Sequence, residues 1–429
     1  MTTNPQHASR KQFHPKWGRA VFAVLTVMLV SVTSIAGLNV WVLDSTLKTN
    51  SVDLQEYREK IPGDTITAAP SPFTTINEPF TMLIVGSDSG DGSAKYGSRT
   101  HNLNDVNILL HIYPGWNAAT AISFPRDLII QFPDCVDENG RTTSGGGTDK
   151  LNTALSKGGL GCAVETISNI TGQRIDNALM IGFDGVVALS NAVGGVDVCL
   201  TEPINDYHTG LVLDAGEHTL QGDQALGFLR TRYGVGDGSD LSRISNQQSF
   251  LSSLLRKIKD EGTLTDPTKI INLANAVAQN TVLTSNLADV SLLGNIGFSL
   301  RNLDLNQVTF IQAPTFYENN GVKLVPSASE ELFNAVFHNQ NVQLTGNTGP
   351  GNIGTVKQDT PTYEEPLPVN VNENDDALPV NRTEREEELQ RLHNQTEPTD
   401  TVSENVIELQ PAVTGQTASQ YTCSRGYSG

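Results

Sequence analysis

The stretch NDVNILLHIYPGWNAATAISF, residues 104–124, holds two short apolar runs, VNILLHI (106–112) and ATAISF (119–124). Each carries β-branched residues and is bounded by Asp, Pro or Gly, the pattern of a buried strand. TMLIVG (81–86) before them and ALMIGF (178–183) after them repeat it, and residues 307–312 supply one more run. Stretches of helical period lie between and after, at 160–171, 183–193, 241–259, 267–279, 287–300 and 327–336. Buried strands alternating with amphipathic helices predict an α/β fold: a central mixed β-sheet flanked by helices on both faces, an αβα sandwich.

Residues 20–43 read AVFAVLTVMLVSVTSIAGLNVWVL without one charge, behind Arg10, Lys11, Lys16 and Arg19. As a helix this run covers about 36 Å, enough for a hydrocarbon core about 30 Å thick. Trp17 and Trp41 stand where interfacial aromatics belong, and the basic flank predicts a cytoplasmic N-terminus with all later residues outside. The expected organisation is a cytoplasmic segment 1–19, a single-pass transmembrane helix 20–43 in the cell membrane, a polar extracellular stalk 44–78 and one folded domain 79–343. Residues 344–429 carry fourteen acids against five bases and read as a disordered acidic tail. With 28 basic and 47 acidic residues the 429-residue chain has a formal charge of −19. That excludes a nucleic-acid-coating protein, which needs a basic surface.

The four cysteines fall on the outer side, where disulfides form. None of their spacings is C-x-x-C, so zinc is poorly supported. Cys135 and Cys162 bracket a Gly-rich polar loop that a bridge would restrain, which leaves Cys199 for Cys423.

Charged residues gather at strand ends. GSDS (86–89) presents Asp88 after one strand, Asp105 precedes another, and SFPRD (123–127) places Arg126 and Asp127 where Pro125 stops a third. The segment LRTRYGVGDGSDLSRISNQQ (229–248) is the most informative. Arg230 and Arg232, two apart, point to one face of an extended chain. Asp240, Arg243 and Gln247 recur at three and four, one stripe of a helix starting near Asp240. Arginines so gathered repel unless an anion neutralises them, and the guanidinium fork matches phosphate oxygens. Asp88 and Asp105 are natural seats for a hard divalent cation, Mg²⁺ or Mn²⁺, that bridges phosphate oxygens.

GSDS, LNDVNILL, SFPRD, KLNTAL, NAVGGVDVCL, HTLQGDQALGFLRTRY and GDGSDLSRISNQQ occur in the order that resembles the LytR-CpsA-Psr family. The likeness runs from about residue 82 to 256. The GDGSDLSRISNQQ form is similar to the branch of mycolic-acid-containing actinobacteria, whose members attach arabinogalactan to peptidoglycan. The resemblance implies a phosphotransferase that moves a glycan from a polyprenyl diphosphate to a peptidoglycan hydroxyl and releases polyprenyl phosphate. It implies Asp88 and Asp105 as metal ligands, and Arg126, Arg230, Arg232, Arg243 and Gln247 as the pyrophosphate-binding set. Asp240, with Arg243 and Arg126 beside it, is the candidate catalytic acid–base group. Two positions depart from the family pattern: Leu103 stands where an arginine is common, with Arg99 as the expected substitute, and Asn246 replaces a second arginine.

A lipid substrate needs an apolar slot, for which Ile181, Phe183, Val186, Val187, Leu189, Leu226 and Phe228 are candidates. The implied partners are a polyprenyl-diphosphate-linked glycan, a peptidoglycan acceptor and the membrane, with no nucleic acid. Two other readings stay open on the residues alone: a pyrophosphatase of lipid diphosphates, and a non-catalytic polyprenyl-phosphate-binding regulatory protein.

Overall fold

The apolar runs pair into one sheet because strands buried on both faces must satisfy their backbone groups with one another. A computed structural model of the chain describes residues 40–61, 78–88, 102–137, 139–260, 267–350, 352–353 and 406–427. Its main sheet contains β1 (Ser51–Val52), β2 (Phe80–Ser87), β3 (Asn104–Ile112), β4 (Ala119–Ser123), β5 (Ala178–Ile181), β6 (Thr281–Thr284), β7 (Val308–Gln312) and β8 (Thr414–Thr417). They lie in the order β1-β6-β5-β2-β3-β4-β7-β8. The β2–β3–β4 meander is antiparallel, whereas β5 on β2 and β7 on β4 are parallel, so the sheet is mixed as expected.

The helices are α1 (40–49), α2 (Leu54–Glu59), α3 (Ala154–Thr171), α4 (Phe183–Ala192), α5 (Asp223–Arg230), α6 (Asp240–Asp260), α7 (Pro267–Asn280), α8 (Val290–Ser299) and α9 (Pro326–Phe337). Alternation along each strand divides them between two cores. Leu83, Val85, Leu109 and Ile311 face α2, α3 and α9, while Met82, Ile84, Ile108 and Phe310 face α1, α6, α7 and α8. A third apolar cluster joins α5, α6 and a second sheet of Gly216–Leu220, Val196–Leu200, Cys423–Ser424 and Asn352–Ile353. It lies beside the main sheet and carries the loop at 231–239.

Two boundaries differ from the sequence expectation. Residues 51–61, expected in the stalk, are part of the domain: β1 pairs with β6, and α2 is capped by the Asp53 carboxylate. Arg58 on α2 is 5% exposed and reaches Glu165 and Asp176, both at 2.7 Å, and the carbonyl of Ile175. The prolines that disfavour helix, from Pro62 onward, all follow this segment.

Nor is the whole of 344–429 an acidic appendage. Residues 406–427 return to the domain, where β8 closes the free edge of β7 and Cys423–Ser424 enters the second sheet. Acids concentrated in 359–404 dominated the composition and masked the apolar, small-residue signal that follows. Both disulfides form as paired from the sequence, Cys135–Cys162 and Cys199–Cys423. The expected transmembrane run falls largely outside the described residues. Among those described, no helix is long and apolar enough to cross a membrane.

Candidate functional site

The ends of β2 and β3 form the floor of the site. Gly86 pairs with Val106 and Ser87 with Asn104, so Asp105 is the extra residue of a bulge. A bulge re-aims the side chain it carries, and Asp105 lines the cavity at these strand ends. Asp88, one residue past β2, is 1% exposed, donates its backbone N–H to the Leu103 carbonyl and accepts the Leu103 N–H at its Oδ1. The departure at Leu103 is thus built into the backbone that holds Asp88. Arg126 follows β4, and the N-terminus of α6 brings Asp240 and Arg243 against it.

These residues interlock. Arg126 Nη1 meets Asp105 Oδ1 at 2.7 Å, and its backbone N–H donates to Asp240 Oδ2 at 3.3 Å. Arg243 Nη2 meets Asp240 Oδ1 at 2.5 Å and donates to the Asp105 carbonyl at 2.9 Å. Burial works against the charge of Arg126, yet Asp105 and Asp240 outweigh it and hold its pKa above the ordinary arginine value. For Arg243 burial prevails and lowers the pKa, with Asp240 opposing and Arg126 adding repulsion. The Nε groups of Arg126, Arg232 and Arg243 are buried without a hydrogen-bond acceptor. Three such donors around one cavity make a seat for an anion rich in oxygens.

The cavity has a volume of about 750 Å³ and two chemical halves. Asp105, Arg126, Arg230, Arg232, Arg243 and Gln247 line its charged end; Ile181, Phe183, Val186, Leu189 and Leu226 line the apolar one. Arg230, at the end of α5, lies over the Phe183 ring at 4.2 Å and marks the junction. Phe228 is not part of this wall but a fully buried core residue, and Val187 does not line it either.

The fold therefore brings most of the expected residues together, with changes of detail. Asp240 lies behind the cavity lining and braces the arginine pair: its Oδ2 accepts the Arg126 N–H, and its Oδ1 is ion-paired with Arg243 and lies 3.6 Å from Arg126 Nε. The carboxamide of Gln247 donates to the Leu229 carbonyl, and Asn246 donates to that of Phe228. Both brace the end of α5 that carries Arg230. Arg99 lies outside the described residues. Among those described, no cluster of three or more metal-ligating side chains occurs.

Sequence reasoning missed three supports. Lys150 bonds to Asp127 at 2.9 Å beside Arg126; its basic charge after a Gly-rich loop was the available signal. Asp206 accepts a 2.6 Å bond from Thr231 between the two arginines, and nothing local in the sequence marks that pair. The returning C-terminal segment holds the glycine loop: Gly236 N–H donates to Arg425 and Tyr427 N–H to Gly234. Gly236 has φ +54°, and a Cβ there would collide with Ser242 on α6.

Comparison with known proteins agrees with this architecture. The model of the LytR_cpsA_psr family matches residues 44–336. The sequence is 28% identical over 334 residues to the cell wall biosynthesis protein LcpA of Corynebacterium glutamicum, covering 72% of this chain and 61% of that relative. The chain thus spans less than two thirds of LcpA. Identity is 23% over 317 residues to the polyisoprenyl-teichoic acid–peptidoglycan teichoic acid transferase TagU of Enterococcus faecalis, covering 73% of this chain and 95% of TagU. Among solved structures, protein gbs0355 of Streptococcus agalactiae shares the fold with a TM-score of 0.51 at 24% identity, covering 61% of this chain and 88% of its own.

Proposed function

This chain belongs to the LytR-CpsA-Psr family, and from that premise we propose that it is a membrane-anchored phosphotransferase joining a glycopolymer to peptidoglycan. The observation that carries the reading is the two-part cavity: a cluster of arginines at one end, with the Nε groups of Arg126, Arg232 and Arg243 buried without a hydrogen-bond acceptor, and an apolar wall at the other. A polyprenyl diphosphate has the same division, a charged head on an apolar chain. Arabinogalactan is the proposed glycan, supported by the GDGSDLSRISNQQ motif (236–248) and by the likeness to LcpA. The run at 20–43 would hold the domain outside the cell membrane, beside its lipid substrate, which raises the effective concentration.

In the proposed reaction, Arg126, Arg230, Arg232 and Arg243 hold the diphosphate oxygens. A peptidoglycan hydroxyl oxygen attacks the phosphorus that bears the glycan. The bond from that phosphorus to the bridging oxygen breaks, and polyprenyl phosphate leaves with it. Charge neutralisation and in-line positioning supply most of the catalysis in such transfers. The hydroxyl proton passes to the carboxylate of Asp105, which lines the cavity, while Asp240 keeps both arginines in place. Asp88 and Asp105 stand at the same end of adjacent strands. These two carboxylates would hold Mg²⁺ or Mn²⁺, hard cations that favour carboxylate oxygens. Such an ion, when bound, would supply further neutralisation of the diphosphate.

The test uses the full-length chain in detergent with a short polyprenyl-diphosphate glycan, a peptidoglycan oligomer and Mg²⁺, followed by mass spectrometry. An acceptor-linked phosphoglycan, lost in Arg230→Ala, Arg243→Ala and Asp105→Ala, is the expected product. Polyprenyl phosphate with no acceptor product would point to hydrolysis instead. Bound lipid without turnover would make the protein a receptor.

A further inference from the structure

Outside the charged end of the cavity three aromatic rings follow one another. Tyr233, directly after Arg232, has its ring 5.9 Å from that guanidinium and 4.7 Å from the ring of His208. His208 lies 3.9 Å from Tyr207, and the planes are tilted by only 36° and 33°. The rings are not core: Tyr233 is 52% and Tyr207 81% exposed. His208 and Tyr233 form part of the cavity rim, and Tyr207 continues the row outward.

The row is held from beneath. Tyr207 and His208 lie at the tip of a hairpin formed by Ile204–Asp206 and Leu211–Leu213. Asp206, 1% exposed, accepts from Thr231 Oγ1 with one oxygen and from the His208 N–H with the other. Thr231 Oγ1 in turn accepts from the Gly234 N–H. A Cβ at Gly234 would press on Ile204 and Thr231 at 2.6 Å, so only glycine lets the hairpin and the arginine segment approach this closely. Exposed aromatics held in place by a buried polar lock are preorganised for a ligand.

We propose that Tyr233, His208 and Tyr207 form a ledge that binds the first sugar rings of the glycan and contributes to donor selectivity. The inference rests on the transferase reading, in which the glycan is esterified to the diphosphate held by Arg230 and Arg232. A sugar leaving that phosphate away from the lipid meets Tyr233 first. The C–H face of a sugar ring packs on an aromatic face, while hydroxyl and imidazole groups at the rim meet its polar edge. The lipid chain is the poorer occupant, because the apolar half of the cavity takes it in from the other side of the arginines.

The test titrates full-length protein with two probes of equal chain length: polyprenyl diphosphate carrying a disaccharide, and polyprenyl diphosphate without sugar. The double variant Tyr207→Ala/His208→Ala should lose about tenfold in affinity for the first, which is about 1.4 kcal/mol. Its affinity for the second should stay within about twofold, a result that also reports an intact fold. Tyr233→Phe, which keeps the ring, should bind both probes nearly as well as the parent. Equal losses for both probes, or no loss for either, would overturn the ledge. A parent that binds neither probe would overturn the diphosphate site itself and the ledge with it.

Discussion

Arg243 is 4% exposed, and its charge is sustained by Asp240 and the Asp105 carbonyl. Arg243→Ala should lower transfer by about 10²-fold or more, as removal of one transition-state charge donor does. It should also cost about 3 kcal/mol of stability, because a buried Asp240 loses its closest partner; thermal melts followed by circular dichroism separate the two effects. Arg243→Lys should not restore activity, since a point charge cannot serve two acceptors in the fork geometry. A pH effect comes from His111, 3% exposed, whose ring nitrogens meet Thr81 Oγ1 at 2.8 Å and Asn339 Oδ1 at 3.1 Å. Burial lowers its pKa from the ordinary 6.5, with the Asn339 bond opposing. The unfolded chain therefore binds the proton at higher pH than the folded one. Stability from this residue is complete above the unfolded value and declines as pH falls below it. The Tm should drop between pH 7 and pH 5, and drop less in His111→Gln. Asp240, Arg243 and Gln247 lie along α6 as their spacing predicts, with Asp240 and Arg243 ion-paired. The task of Gln247 was not forecast, because only packing turns its amide toward Leu229.

At the scale of elements, the C-terminal return is the part the sequence hid. β8 covers the edge of β7, an edge that would otherwise invite pairing with another chain. Ser424 Oγ donates to Asn246, Thr422 meets Ser249 at 2.8 Å, and the backbone of 425–427 bonds to the loop between Arg232 and Asp240. The Cys199–Cys423 bridge spans 224 residues, and a disulfide typically contributes about 2–4 kcal/mol by limiting the unfolded chain. Cys423→Ser should therefore lower the unfolding free energy by that order in denaturant titration, with Cys199→Ser matching it. A chain ending at residue 343 should aggregate and lose transfer, and unchanged activity in that truncation would contradict the bracing role of the return.

At the scale of the whole molecule, α4, α5, α6 and α7 lie on one side of the charged cluster and enclose an apolar hollow. Filling it with Leu189→Trp should abolish the gain in affinity that a longer lipid chain brings, while diphosphates with a very short chain keep theirs. Binding measured against a series of chain lengths checks this. An undiminished gain would place the lipid elsewhere.

The sequence by itself determined the fold class, both disulfide pairs and most of the charged residues of the cavity. Each depends on a signal short in range: apolar periodicity, cysteine parity, and arginines spaced along one segment. Only the tertiary structure decided what crosses long separations. The bond from Asp206 to Thr231, the docking of Arg58 between Glu165 and Asp176, and the return of 406–427 all join distant residues. No local pattern encodes such contacts, because a buried carboxylate or an edge strand is stabilised by the partner that packing brings to it, and composition reads a polar, acidic approach to that partner as solvent-facing chain.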